Sequence, residues 1–156
     1  MKHIKKFNES TDYDLQDLAD QCNDILMELR DNGFRIDVVC NPSFGKYSEL
    51  NKDNIFIKII KRPDSEGKRE PLEYSEVDDY IERVIDFLKS ENDFIMKSAY
   101  VLYEKNDVFR REDLSGSIHI DNCSVYFRNF VKRLKPKQSE DGIYVIGMYF
   151  KQIIRH

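Results

Sequence analysis

Apolar residues recur at spacings of three and four in the first part of the chain, which is the period of an amphipathic helix. The stripe consists of Leu15, Leu18, Ala19, Cys22, Ile25, Leu26 and Leu29. Ser10 or Thr11 can cap the start of this helix, and Gly33 is a good terminator. The pattern predicts a helix from about Tyr13 to Asn32.

A second helical stripe begins after Ser75, and Asp78 three residues later makes a short version of a capping box. Its apolar positions are Val77, Tyr80, Ile81, Val84, Ile85 and Leu88. The spacing predicts a helix of about four turns that ends near Ser90.

Shorter apolar runs predict strands. Phe34, Ile36 and Val38 alternate with polar residues, as in a strand that is covered on one face. The isoleucine-rich run Asn54 to Lys61 is apolar on both faces and is expected to lie centrally in its sheet. Further strands are predicted over Met96 to Tyr103, Ser117 to Ile120, Ser124 to Phe130 and Gly142 to Lys151.

The order of predicted elements is α-β-β-α-β-β-β, with room for one more short strand. Two helices on one face of a mainly antiparallel sheet make a two-layer α+β domain. No segment has a linker's composition, so residues 11–156 are expected to form one domain. Residues 1–10 are expected to form an extended N-terminal arm or leader.

Composition narrows the class of protein. The chain has 156 residues, a net charge of −4 and 35% charged residues. It contains neither an apolar run of about 18 residues nor a secretory signal pattern, so we expect a soluble, intracellular-type protein without a membrane association. Its three cysteines are odd in number and have no CxxC pairing, so neither a disulfide framework nor a zinc ribbon is expected. We expect no cofactor and no metal.

The charge is divided along the chain. The last 33 residues carry seven Lys or Arg against two Asp or Glu, a balance of +5, which leaves −9 for the first 123. Aromatic residues interleave with these bases, and such strands can bind phosphates and stack on single-stranded bases. The candidate nucleic-acid-binding residues are Arg128, Lys132, Arg133, Lys135, Lys137 and Lys151. In the alternative interpretation, the aromatic side chains point into the core and the lysines surround a turn.

Catalytic motifs are missing from the sequence. It has no phosphate-binding loop, no dinucleotide-binding glycine pattern, no HExxH and no GxSxG. No catalytic residue is therefore assigned. An enzyme site around His119, with Asp121 and Cys123, is the weakest of the hypotheses.

The first ten residues, Met-Lys-His-Ile-Lys-Lys-Phe-Asn-Glu-Ser, carry the most specific pattern. They resemble the N-terminal prefix shared by many proteins of large tailed bacteriophages, and the capsid-targeting peptides of T4-type internal head proteins. The resemblance implies cleavage after Glu9, with Ser10 as the new N-terminus. Phe7 stands where that family prefers leucine or isoleucine.

These observations favour a phage-type accessory protein that acts by non-enzymatic binding. Its expected partner is a host or phage protein, and its expected location is the host cytoplasm or the inside of the phage head. A nucleic-acid-binding module that uses the C-terminal basic and aromatic strands is the alternative, followed by an enzyme with a site near His119. The sequence leaves the oligomeric state open.

Overall fold

The first helical stripe folds as two consecutive helices in the computed structural model, which describes residues 12–41, 53–68, 70–105, 108–115 and 142–152. Helix α1 spans Asp12–Ile25 and α2 spans Met27–Asp31. The single predicted helix is therefore interrupted at Leu26, whose φ and ψ are −93° and 4°. The interruption preserves the stripe, since its positions remain buried on either side of the break: Leu15, Ala19, Cys22, Leu26 and Leu29.

Gly33 ends α2, as the sequence predicts. Its φ is +97°, a left-handed conformation that glycine adopts without the cost a side chain would bring. Strand β1 follows at Phe34–Cys40 and pairs antiparallel with β2, Asn54–Lys61. Arg30 ties the helices to the sheet because its Nη2 donates to Asn23 Oδ1 at 2.6 Å and to the Ile36 carbonyl at 2.8 Å.

Helix α3 spans Tyr74–Asp86 and continues into a π-helical turn at Phe87–Glu91. The predicted capping box of Ser75 and Asp78 is wrong, because the box is formed by Glu73 and Glu76. The Glu76 carboxylate accepts a hydrogen bond from the Glu73 amide at 3.0 Å. The buried face of α3 comprises Val77, Ile81, Val84 and Ile85.

Three strands complete the described sheet: β3, Phe94–Lys105; β4, Val108–Ser115; and β5, Gly142–Gln152. The strand order is β1-β2-β5-β3-β4, and every neighbouring pair is antiparallel. The predicted inner position of β2 and the two-layer α+β class are confirmed. The sequence pattern missed β4, and the strands predicted over 117–120 and 124–130 lie outside the described residues.

The core lies between the helices and one face of the sheet. Ile55, Ile57 and Ile59 of β2 are fully buried there, in one cluster with Val77 and Ile81 of α3. Register assigns the alternate residues to the opposite side of the sheet, which we call the far face. The far-face positions of the three central strands and β4 include Phe56, Lys58, Ile60, Ser98, Tyr100, Leu102, Glu104, Phe109, Arg111, Asp113, Val145, Gly147 and Tyr149.

Candidate binding pocket on the far face

The far face brings an aromatic and charged cluster together across four strands. Tyr100 of β3 lies opposite Gly147 of β5 on one side and opposite Asp113 of β4 on the other. Phe56 of β2 lies opposite Tyr149 of β5. Because all five positions have the same orientation in the pleat, their side chains share one surface.

The Tyr100 ring lies on the backbone of Gly147. A Cβ atom built at position 147 would overlap the Cε1, Cζ and Cδ1 atoms of that ring. Phe56 approaches from the other side of β5, and its ring is 6.4 Å from that of Tyr100, with 12° between the ring planes. Since glycine leaves a gap in the side-chain layer, two rings that start two strands apart can stack in it.

Arg111 covers the Tyr100 ring, with its guanidinium carbon 4.1 Å from the ring centroid. Its Nε donates a hydrogen bond to Asp113 Oδ1 at 3.0 Å. Both side chains are about half exposed, at 57% and 54%. Stacking and the hydrogen bond together orient the guanidinium plane, and the bond to Asp113 uses Nε rather than the two Nη groups.

Burial raises the pKa of the Tyr100 phenol above its ordinary value of 10.0. Arg111 opposes that shift and Asp113 reinforces it. The raised pKa extends to higher pH the range in which the phenol is protonated and can both donate and accept a hydrogen bond.

These side chains surround a pocket of about 340 Å³. Its lining residues are Phe56, Ser98, Ala99, Tyr100, Arg111, Asp113, Gly147 and Tyr149. Pockets that bind small molecules measure about 300–1,000 Å³ and combine aromatic walls with a few polar groups. The far-face pocket has that composition and lies at the small end of the range.

A second aromatic contact lies farther along β4. The Phe109 ring packs edge-on against Tyr144, with 5.6 Å between the centroids. The Tyr144 hydroxyl donates to Glu104 Oε1 at 3.1 Å. The β3–β5 register shifts between Leu102 and Tyr103, and a bulge of this kind turns the extra residue of β5 toward the far face. Phe109 itself remains 51% exposed.

Lys151 is the single member of the predicted nucleic-acid-binding set within the described residues, and it is half-buried in β5. The other five members, Arg128, Lys132, Arg133, Lys135 and Lys137, lie outside the described residues, as do His119, Glu9 and Ser10. Tyr144 and Tyr149 are only 6% and 5% exposed, so these two predicted aromatics are buried. Single-strand binding by the C-terminal bases stays a prediction.

Sequence reasoning missed the pocket residues. Two features of the sequence could have indicated them. The first is Gly147 inside an otherwise apolar strand, since a glycine there marks a close approach of other atoms. The second is the spacing of Arg111 and Asp113, which places both side chains on one face of a strand. The second signal was hidden, since the run around it is too polar to predict a strand.

The described ranges contain neither a metal-binding cluster nor a membrane-spanning helix. No group of three or more His, Cys, Asp or Glu residues there is arranged to hold a metal ion. Within the same ranges, no helix has the length and apolar character needed to cross a membrane.

Comparisons with known proteins give no family for the chain: no protein-family model matches it, and no match is found among curated proteins.

Proposed function

We propose that this protein is a phage-type accessory protein that acts by non-enzymatic binding of a host or phage protein. The observation that supports it best is the exposed aromatic side chain of Phe109 on β4, at the edge of the described sheet. Val108 beside it is 50% exposed, so the start of β4 exposes one large apolar side chain on each face of the strand.

The Phe109 ring suits a binding contact because it is already held in place. Tyr144 supports one side of it, and the hydrogen bond from Tyr144 to Glu104 fixes that support. A side chain that is ordered before binding loses less entropy when a partner covers it. Rigid aromatic anchors of this kind often contribute much of the binding energy at protein interfaces.

Strand β4 offers a second element of recognition. Among the described residues it pairs with β3 on one side, and it is the last strand of the order β1-β2-β5-β3-β4. A partner segment can add to such an edge through main-chain hydrogen bonds, while side-chain contacts give specificity. Phe109 and Val108 would supply those side-chain contacts.

The resemblance of residues 1–10 to phage leader peptides supports the phage setting. Under this proposal the protein acts in the host cytoplasm during infection, and a copy cleaved after Glu9 would be packaged in the phage head.

The test compares three forms of the tagged protein in infected host cells: the wild type, the double variant Val108→Ser with Phe109→Ser, and Met27→Ser. Met27 is the matched control because it is an apolar side chain on α2 with a similar exposure, 53% against 51% for Phe109. Partners are captured after cross-linking and quantified by mass spectrometry, and the leading partner is then purified for a direct affinity measurement.

We expect the purified partner to bind the wild type and Met27→Ser equally and the β4 double variant at least about tenfold more weakly, since an anchor residue contributes 2 kcal/mol or more. Equal affinity for all three forms would exclude β4 as the binding surface. A partner that is chemically converted by the wild type would contradict the non-enzymatic part of the proposal.

A further inference from the structure

We propose that the far-face pocket binds a mononucleotide, with the base against the Phe56 ring beside Tyr100 and the phosphate on Arg111. This site goes beyond the proposed protein interaction, which uses Phe109 and Val108. The two can therefore succeed or fail separately.

The pocket provides an aromatic surface for a planar ring. Phe56 and Tyr100 lie nearly parallel, 12° apart, and Tyr149 forms a further part of the lining. Because Arg111 already covers Tyr100, the Phe56 ring is the surface on which a base would stack, and Tyr100 holds the guanidinium beside it. Every nucleobase has a π-face that can stack on aromatic side chains of this kind, as on other sheet surfaces that hold unpaired bases. Gly147 leaves the space in which the two rings meet, so this aromatic surface is already formed before a ligand binds.

Arg111 provides an oriented cation beside that surface. Its plane is held by the Tyr100 ring at 4.1 Å and by Asp113, which accepts a hydrogen bond from Nε at 3.0 Å. The two Nη groups form the end of the guanidinium fork, which matches the spacing of two phosphate oxygens.

Size and charge favour one nucleotide over a long strand. The cavity of about 340 Å³ is at the small end of ligand pockets. Strand binding requires several cationic contacts to phosphates. On the far face, Arg111 is paired with Asp113, and Arg35 at the other edge is paired with Asp37.

The experiment titrates the purified full chain with four probes and follows binding by calorimetry and by backbone amide NMR shifts. The probes are AMP, adenosine, ribose 5-phosphate and a single-stranded oligodeoxyadenylate. We expect AMP to bind at micromolar to millimolar concentration, and both adenosine and ribose 5-phosphate to bind at least about tenfold more weakly, because each lacks one of the two contacts. The oligodeoxyadenylate should bind no better per nucleotide than AMP.

Three variants locate the site: Tyr100→Leu, Arg111→Gln and Arg35→Gln. Arg35 is the matched control, because it also pairs through Nε with an aspartate two residues later, at 3.4 Å, but lies on β1 at the opposite edge of the sheet. We expect Arg111→Gln and Tyr100→Leu each to weaken AMP binding by about tenfold or more, and Arg35→Gln to leave it within about twofold.

Thermal unfolding of each variant shows whether it is folded, and Arg111→Gln changes an exposed side chain that can be lost without loss of the fold. The proposal is overturned if AMP fails to bind the wild type at millimolar concentration, or if Arg111→Gln and Arg35→Gln bind it equally. Equal binding of AMP and adenosine would remove the phosphate contact and overturn it as well. Binding of the oligodeoxyadenylate without binding of AMP would replace the mononucleotide site with a strand interface.

Discussion

Tyr100 and Gly147 are complementary: the tyrosine ring of β3 occupies the space that a side chain on β5 would need. The pair joins β3 to β5, the middle strand of the described sheet, which has β2 on its other side. One position without a side chain therefore determines how the rings on the far face are arranged. The same two residues contribute to stability and to the shape of the pocket.

Replacement of Gly147 by alanine is expected to lower the free energy of unfolding by about 1–3 kcal/mol, since the new methyl group would displace a ring packed on backbone atoms. Urea denaturation of both forms measures the difference. The variant should also lose the close stacking of Phe56 and Tyr100, with a change in tyrosine near-ultraviolet circular dichroism.

A double-mutant cycle with Tyr100→Ala separates this clash from any destabilisation by alanine at position 147 that does not involve the Tyr100 ring. If the ring is the cause, Gly147→Ala should cost far less in the Tyr100→Ala background, and a coupling energy of about 1 kcal/mol or more should result. Additive costs would show that the two residues do not act on each other.

The helical layer and the inner strands could be predicted from the sequence because burial repeats with a simple period. The stripe from Leu15 to Leu29 stays buried even though the backbone breaks at Leu26. The continuous apolar run of β2 likewise reflects an inner strand with neighbours on both sides. In both elements the pattern of apolar residues within the segment itself is enough to predict the structure.

Long-range partners decided what the sequence could not show. Strand β4 carries Arg110, Arg111, Glu112 and Asp113, and it is a strand because β3 pairs with it rather than because of an apolar period. Helix α3 starts one residue before Ser75, at Tyr74. Its start is stabilised by Glu76, which accepts a hydrogen bond from the Glu73 amide and pairs with Lys61 of β2. The candidate pocket was missed for the same reason, since its residues come from four strands.

Glu76 is expected to stabilise the protein in two separable ways. Its carboxylate accepts the Glu73 amide at 3.0 Å and pairs with Lys61 at 3.4 Å, where the Lys61 side chain is only 16% exposed. Glutamine retains the capping contact but loses the charge, so Glu76→Gln should cost about 0.5–1 kcal/mol. Glu76→Ala loses both contacts and should cost about 1–2 kcal/mol.

Urea denaturation at low and high salt distinguishes the two contributions of Glu76. Salt screens the charge pair, so the cost of the glutamine variant should shrink at about 1 M salt, whereas the extra cost of alanine should persist. Equal costs of the two variants at low salt would mean that the capping contact contributes nothing measurable.

The leader resemblance predicts cleavage between Glu9 and Ser10 during head maturation. Helix α1 begins at Asp12, so removal of nine residues should leave the described fold in place. Mass spectrometry of purified virions should detect a chain that starts at Ser10, and Glu9→Gln should leave the packaged chain uncut. Recovery of only intact, non-virion protein would refute packaging.

Cys22 is expected to make the protein less stable at alkaline pH. Burial, with a smaller contribution from Cys40, raises the pKa of the Cys22 thiol from 9.0 to about 12. Between these two pH values the Cys22 thiol is deprotonated in the unfolded chain and protonated in the folded chain. Deprotonation stabilises the unfolded state, so the free energy of unfolding falls as the pH rises. The slope from this group approaches about 1.4 kcal/mol per pH unit, whereas below pH 9 its contribution is constant.

Chemical denaturation from pH 8 to pH 11 measures this slope in the wild type and in Cys22→Ala. The alanine variant should be less stable at pH 8, because a buried thiol is lost at a site of zero exposure, but its stability should decline less steeply with pH.

Thiol alkylation gives an independent check at neutral pH. Half-buried Cys40 should be labelled in the folded protein, while Cys22 should react only after unfolding, because the thiolate is the reactive form. Rapid labelling of Cys22 in the folded state, or identical pH slopes for the two forms, would show that its thiol ionises more readily than its burial implies.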